Sequence, residues 1–197
     1  EDLKSSSDVV IDFHSSNLQL FELPQIRIIK DFEKKVLPFA KKCNVDLIWV
    51  HPNAEIFVST LGFNLNKAKI PTLVIETGVC LRIHPEKGDQ IFNGALNLLN
   101  EMGTLQILTE PIKEPYLVQP HQVKMVQAHH SGLFIKQVEA GNFLEAGERI
   151  GKLIDPIEGR ILKNIVAPCS GLLFTIREHP LAHKGSPLAR IAELREK

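Results

Sequence analysis

The spacing of apolar residues changes character near residue 112, and that change divides the chain into two kinds of structure. Up to that point, short apolar runs alternate with segments of helical period. Val9-Val10-Ile11-Asp12-Phe13 has the length and composition of a buried strand. Residues 31–43 place Phe32, Val36, Phe39, Ala40 and Cys43 at helical spacing, and Pro38 is expected to kink that helix or delay its regular part. Residues 45–50 read as a second strand, and residues 72–75, entered through Pro71, as a third. Asp89 is expected to cap a helix that lines Ile91, Ala95, Leu98, Leu99 and Met102 on one face and stops at Gly103. Strands alternating with helices predict an α/β domain over residues 1–112, with a mostly parallel sheet covered by helices.

Beyond residue 112, glycine and proline punctuate short β-type runs. An internal echo is visible there. Ala128-His129-His130-Ser131-Gly132-Leu133-Phe134 returns as Ala167-Pro168-Cys169-Ser170-Gly171-Leu172-Leu173-Phe174. The segment from Glu148 to Leu153 returns, with a one-residue slip, as the segment from Ser186 to Ile191. Two similar β units in tandem predict a small all-β sandwich with pseudo-twofold symmetry over residues 113–197. Pro111, Pro115 and Pro120 mark residues 110–120 as a stiff connector.

The 197 residues are 44% hydrophobic and 23% charged, enough apolar content for a sizeable core. Formal net charge is zero and no basic run occurs, so no nucleic-acid partner is expected. No apolar stretch approaches the ~20 residues that cross a bilayer, so no membrane partner is expected. Cys43, Cys80 and Cys169 are few and far apart, which points to a reducing, cytoplasmic setting and not to a disulfide framework. The absence of a CxxC pair argues against a cysteine zinc site. The chain begins with Glu and not Met, and is expected to be a fragment or a processed product.

Several residues could carry chemistry. His14 closes the first apolar strand, at the sheet edge where open α/β folds bind ligands. Asp12, two residues earlier, shares its face and could orient the imidazole. His14 reads either as a metal ligand or as a partly buried histidine bonded to backbone. Glu76 closes the run Thr72-Leu73-Val74-Ile75 and precedes Thr77 and Gly78. A carboxylate placed there must be paired or hydrogen-bonded, and it reads either as a general base or as a strand-end carboxylate held by a helix N-terminus or an arginine. His51 follows a strand end and could line the same rim. It reads, with His84, His129 and His130, more readily as a loop residue than as a metal ligand. Arg82 and Lys87 could meet an anionic substrate or simply be solvated loop charges. Val123-Lys124-Met125 has the look of a cofactor-carrying lysine tripeptide. It precedes the first β unit, however, whereas such a lysine belongs at the hairpin between the two units. That hairpin region, residues 155–160, contains no lysine.

Taken in order, these segments resemble the succinylglutamate desuccinylase/aspartoacylase family, relatives of the zinc carboxypeptidases. The resemblance covers essentially the whole chain. It rests on Asp8-Val9-Val10-Ile11-Asp12-Phe13-His14, similar to the family's strand ending in its third zinc ligand. It rests also on Ile70-Pro71-Thr72-Leu73-Val74-Ile75-Glu76-Thr77-Gly78, similar to the strand bearing the catalytic glutamate, and on the helical segment from Asn93 to Gly103 that follows. The β half resembles the family's C-terminal barrel-sandwich hybrid domain of lipoyl-like shape. The resemblance implies a partial carboxypeptidase-like mixed sheet and a Zn2+ cofactor, with His14 as metal ligand and Glu76 as general base; the roles of Asp12 behind His14 and of Arg82 toward the substrate rest on their positions alone. It implies hydrolysis of the amide bond of a small N-acyl amino acid. The family's first two zinc ligands, in a Gly-x-His-x-x-Glu segment, are absent from this sequence, as is the Asn-Arg segment that holds the substrate carboxylate. This polypeptide alone is therefore expected to be inactive. A carboxypeptidase-like zinc peptidase and a non-catalytic binding protein on a degenerate hydrolase fold remain open, and the sandwich could support homo-oligomer assembly.

Overall fold

A computed structural model of the protein describes residues 2–52 and 55–195. The chain forms two compact units. The first comprises residues 1–14, 24–77 and 83–120, and the second residues 15–23, 78–82 and 121–197. The chain thus leaves the first unit twice, briefly, before the second is completed.

In the first unit a short exposed turn of helix (α1, Asp2–Ser6) precedes β1 (Val10–Ser15) and β2 (Leu20–Ile29). There follow α2 (Glu33–Ala40), β3 (Leu47–His51), α3 (Leu61–Lys67), β4 (Thr72–Gly78), α4 (Pro85–Glu101) and β5 (Tyr116–Val118). The strand order is β1-β4-β2-β3-β5. β2 pairs parallel with β3, and β3 parallel with β5. Alternate residues point to opposite faces of a strand, which sorts this sheet. Ile26, Ile28, Ile48, Leu73 and Ile75 join Val36 and Ala40 of α2 and Leu98 of α4 in one core. The intervening Asp12, Arg27, Val74 and Glu76 are left for the cavity described below.

One helix contains its expected proline, and another starts earlier than the sequence suggests. Pro38 lies inside α2, on its exposed side, level with the exposed Lys34 one turn earlier, whose carbonyl it cannot hydrogen-bond. α4 starts one turn before Asp89, at Pro85, because a proline at the first helical position gives up an N–H that has no partner in a helix anyway. Its end is as expected: Gly103 takes φ +74°, a conformation glycine adopts without strain. α4 is clamped to the end of α2 by amide side chains. Asn97 Nδ2 donates to Lys42 O at 2.9 Å, Gln90 Nε2 to Asn44 O at 2.9 Å, and Asn44 Nδ2 to Gln90 O at 3.2 Å. Gly94 makes this approach available, since a Cβ there would stand 1.8 Å from Cys43 O.

The proline-rich segment read as a connector is in part a strand. Tyr116, Leu117 and Val118 pair with Leu47, Ile48 and Trp49, and this ladder keeps residues 113–120 with the first unit. Pro115 and Pro120 flank the strand, where no ladder N–H is required of them.

The second unit holds β6 (Val123–Gln127), β7 (Gly132–Lys136), β8 (Phe143–Leu144) and β9 (Arg149–Ile154). The repeat follows as β10 (Ile161–Val166), β11 (Gly171–Arg177), β12 (Leu181–Ala182) and β13 (Pro187–Ala192). The sequence echo becomes a pairing symmetry. β7 pairs with β9 of its own repeat and with β12 of the other. β11 pairs with β13 of its own repeat and with β8 of the other. β6 lies against β13, and β10 against β9. All these pairs are antiparallel. The result is two sheets, β10-β9-β7-β12 and β6-β13-β11-β8, and no closed barrel among the described residues. Phe134, Ile150 and Leu153 from one sheet and Leu173, Leu188 and Ile191 from the other share a single core. The first residues of β2 join this unit by pairing with β11. There Glu22, 1% exposed, meets Arg190 Nη1 at 2.6 Å, so this buried carboxylate is paired.

Candidate active site

β1 and β4 are neighbours in the sheet, and each carries a polar residue close to its C-terminal end, His14 on β1 and Glu76 on β4. On β1, Asp12 Oδ1 lies 3.1 Å from His14 Nε2. The carboxylate thus holds the imidazole through one nitrogen, and a metal bound by His14 would have to take Nδ1. The histidine is held by a carboxylate here, where the alternative reading expected a backbone partner. Its side chain is 45% exposed, open enough for a ligand to reach.

On β4, Glu76 is 13% exposed, and its Oε1 accepts from Arg27 Nη1 at 3.3 Å. Arg27 comes from β2, the strand next to β4. In the β2–β3 register it stands opposite Trp49, with its guanidinium carbon 5.8 Å from that ring's centroid. The Trp49 and His51 ring centroids lie 5.0 Å apart, and the His51 and Phe57 rings stand nearly perpendicular with centroids 4.9 Å apart.

Asp12, His14, Glu76, Arg27 and His51 line one cavity of about 310 Å³. Much of the rest is apolar, with Phe32, Phe57, Leu61, Phe63 and Val74 among the lining residues. α3 supplies part of this wall. Its first turn is fixed by Thr60, whose hydroxyl accepts from Phe63 N–H at 3.2 Å. Gly62 lets it press on β4, since a Cβ there would lie 2.7 Å from Val74 Cγ2.

The other sequence candidates lie elsewhere. Arg82 belongs to the second unit, in a separate pocket of about 430 Å³ with Cys80, Glu178 and His179. His129 and His130 are exposed just before β7, and His84 and Lys87 sit at the start of α4. Sequence reading missed Arg27, Phe57 and Phe63. A signal existed for Arg27: it is the one charged residue in an otherwise uncharged run, residues 23–29.

A zinc site needs three protein donors besides water. Among the described residues no group of three or more His, Cys, Asp or Glu side chains could hold a metal ion. The His14–Asp12 pair amounts to one ligand and its support. By themselves the described residues do not fit a complete zinc site.

No protein-family model and no curated protein sequence matches the chain. Solved structures do. A succinylglutamate desuccinylase/aspartoacylase from Rhodobacter sphaeroides matches with a TM-score of 0.80 over 100% of this chain and 62% of its own, at 18% identity. The fold is that of the succinylglutamate desuccinylase/aspartoacylase proteins. The ectoine utilization protein EutE (DoeB) from Ruegeria pomeroyi, in its product-bound form, shares this desuccinylase/aspartoacylase fold with a TM-score of 0.79 and 16% identity, over 98% of this chain and 60% of its own. An aspartoacylase family protein from Mesorhizobium loti matches at 0.75 and 18%, over 98% of this chain and 65% of its own. The chain therefore spans less than two thirds of the length of these desuccinylase/aspartoacylase-fold structures.

Proposed function

We propose that this chain is the part of a zinc-dependent deacylase that carries the general base and one metal ligand, and that the whole protein hydrolyses the amide bond of a small N-acyl amino acid. The observation that carries the reading is the convergence of His14, held by Asp12, and Glu76, held by Arg27, on one cavity. The desuccinylase/aspartoacylase fold supports it. A cavity of about 310 Å³ suits an amino-acid derivative better than a polypeptide.

Each residue has a role in this reading. Glu76 takes a proton from the attacking water and passes it to the leaving amine, a general base and then a general acid. Arg27 anchors the glutamate in place through Oε1. Asp12 fixes the imidazole of His14, the one zinc ligand this chain contributes. The other donors belong to a region matching the part of the longer neighbours that this chain does not cover. The 197-residue chain alone is accordingly inactive. The β unit is a barrel-sandwich hybrid without a carrier role, since its hairpin at residues 155–160 offers no lysine to modify.

The test is Glu76→Gln in the full-length protein. It should leave metal content unchanged, measured by atomic emission, and lower turnover of N-acyl amino acids by at least about 10²-fold. Near-normal hydrolysis by that variant would remove Glu76 from the mechanism.

A further inference from the structure

We propose that Trp49 is a positioning residue for the general base: its indole holds the Arg27 guanidinium in the place from which that group holds Glu76. The proposal rests on the deacylase reading for the role of Glu76, but the run of contacts behind it is independent of that role.

The order β4-β2-β3 puts Arg27 on the middle strand, with Glu76 on the strand to one side and Trp49 on the strand to the other. An arginine side chain is long, and holding it in one rotamer costs entropy. Its hydrogen bond to Glu76 Oε1, at 3.3 Å, is long for a charge-assisted bond, and the side chain is 24% exposed. A contact on the opposite flank narrows the rotamers open to it. The indole supplies that contact. Arg27 Cζ lies over the ring, 5.8 Å from its centroid, within the range in which a cation is drawn to an aromatic face. Trp49 is braced in turn. His51, two residues on and on the same face of β3, has its ring centroid 5.0 Å from that of Trp49, and Phe57 stands nearly perpendicular to His51 at the end of the helical turn Glu55–Phe57. Five neighbouring side chains thus run from Phe57 to Glu76. Phe57, His51, Arg27 and Glu76 line the cavity, whereas Trp49 is not among its lining residues. The indole therefore acts on the site through Arg27 and not on a substrate.

A double-mutant cycle in the full-length protein tests this. Trp49→Leu should lower kcat about three- to tenfold with KM within about twofold, the range that one cation–π contact carries. Trp49→Phe keeps a ring face and should recover most of the loss. Added to Arg27→Gln, Trp49→Leu should lower kcat no further, because its effect passes through the guanidinium. Trp49 is the chain's single tryptophan, so its emission gives a second readout on the 197-residue chain, without turnover and with the indole in place. Arg27→Gln should change the intensity or the maximum of that emission. Losses that multiply in the double variant would overturn the proposal. So would a Trp49→Phe variant as impaired as Trp49→Leu, or emission indifferent to Arg27→Gln. The deacylase reading fails by a different result: hydrolysis retained by Glu76→Gln removes the base, while the emission change still reports the contact between Trp49 and Arg27.

Discussion

Arg27 Nη1 lies 3.3 Å from Glu76 Oε1 across neighbouring strands, with the indole of Trp49 beside the guanidinium. The carboxylate proposed as general base is therefore fixed by a cation that comes from a different part of the sequence, forty-nine residues away. Replacing Arg27 with Gln should cost about 1 kcal/mol of stability, since both partners keep some solvent contact. The larger effect should fall on catalysis. A misplaced base costs up to about 10²-fold in kcat, and Arg27→Lys should recover part of it. Steady-state kinetics on the full-length protein, with KM and kcat separated, makes the check: a change confined to KM would assign Arg27 to substrate binding instead of positioning.

Asp12 acts on the other half of the site. Asp12→Asn keeps the shape and removes the charge that holds His14 Nε2 at 3.1 Å. Carboxylates behind a ligating imidazole contribute about 10–100-fold to metal affinity. Competition with a chromophoric chelator should show a loss of that size in the full-length variant, with thermal unfolding of the metal-free protein unchanged.

Two glycines mark close approaches of different kinds, and alanine should separate them. At Gly94 the new methyl would meet the backbone carbonyl of Cys43, in the turn after α2, at 1.8 Å, so the backbone itself would have to shift. Gly94→Ala should destabilise by about 3 kcal/mol in urea unfolding. At Gly62 the obstacle is Val74 Cγ2 at 2.7 Å, a methyl that can rotate away. The better helix propensity of alanine, worth about 1 kcal/mol, should offset most of the crowding there, so Gly62→Ala should lie within about 1 kcal/mol of the parent.

Cys43 gives a pH signature. Burial pushes its thiol up from 9.0 to about 12, and its sulfur donates to Phe39 O at 3.4 Å. The unfolded chain loses this proton near the ordinary thiol value, whereas the folded chain keeps it. Stability from this group is thus complete below pH 9.0 and declines as pH rises from there toward about 12. Denaturant midpoints measured across that window should fall less steeply for Cys43→Ala than for the parent, even though the variant starts from a lower value.

Parts of this architecture are legible in the sequence for clear reasons. The strands that carry His14 and Glu76 are short, mainly apolar runs with a polar residue near their C-terminal ends, a pattern set by local chemistry. The β repeat is legible because each copy carries the same turn glycine, Gly132 and Gly171. β2 is not legible in the same way. Pro24, Gln25 and Arg27 interrupt its apolar content, and its identity comes from pairing with β3 and β4, which no local window contains. α3 is too short for its period to stand out, and Phe57 and Phe63 become wall residues only through the packing of that segment on β4. The start of α4 is hard to read because Asp89 looks like a cap, while Pro85, a turn earlier, is the better initiator.

The exchange of short strands in the second unit, β12 to β7 and β8 to β11, has a consequence for how that unit can be handled. Each half keeps a piece the other needs, so neither copy of the motif is a folding unit by itself, and both should melt in one transition. Deleting either half would leave an open sheet margin. Opening the exposed turn at residues 155–160, with every strand retained, should be tolerated and would give a place to attach a reporter.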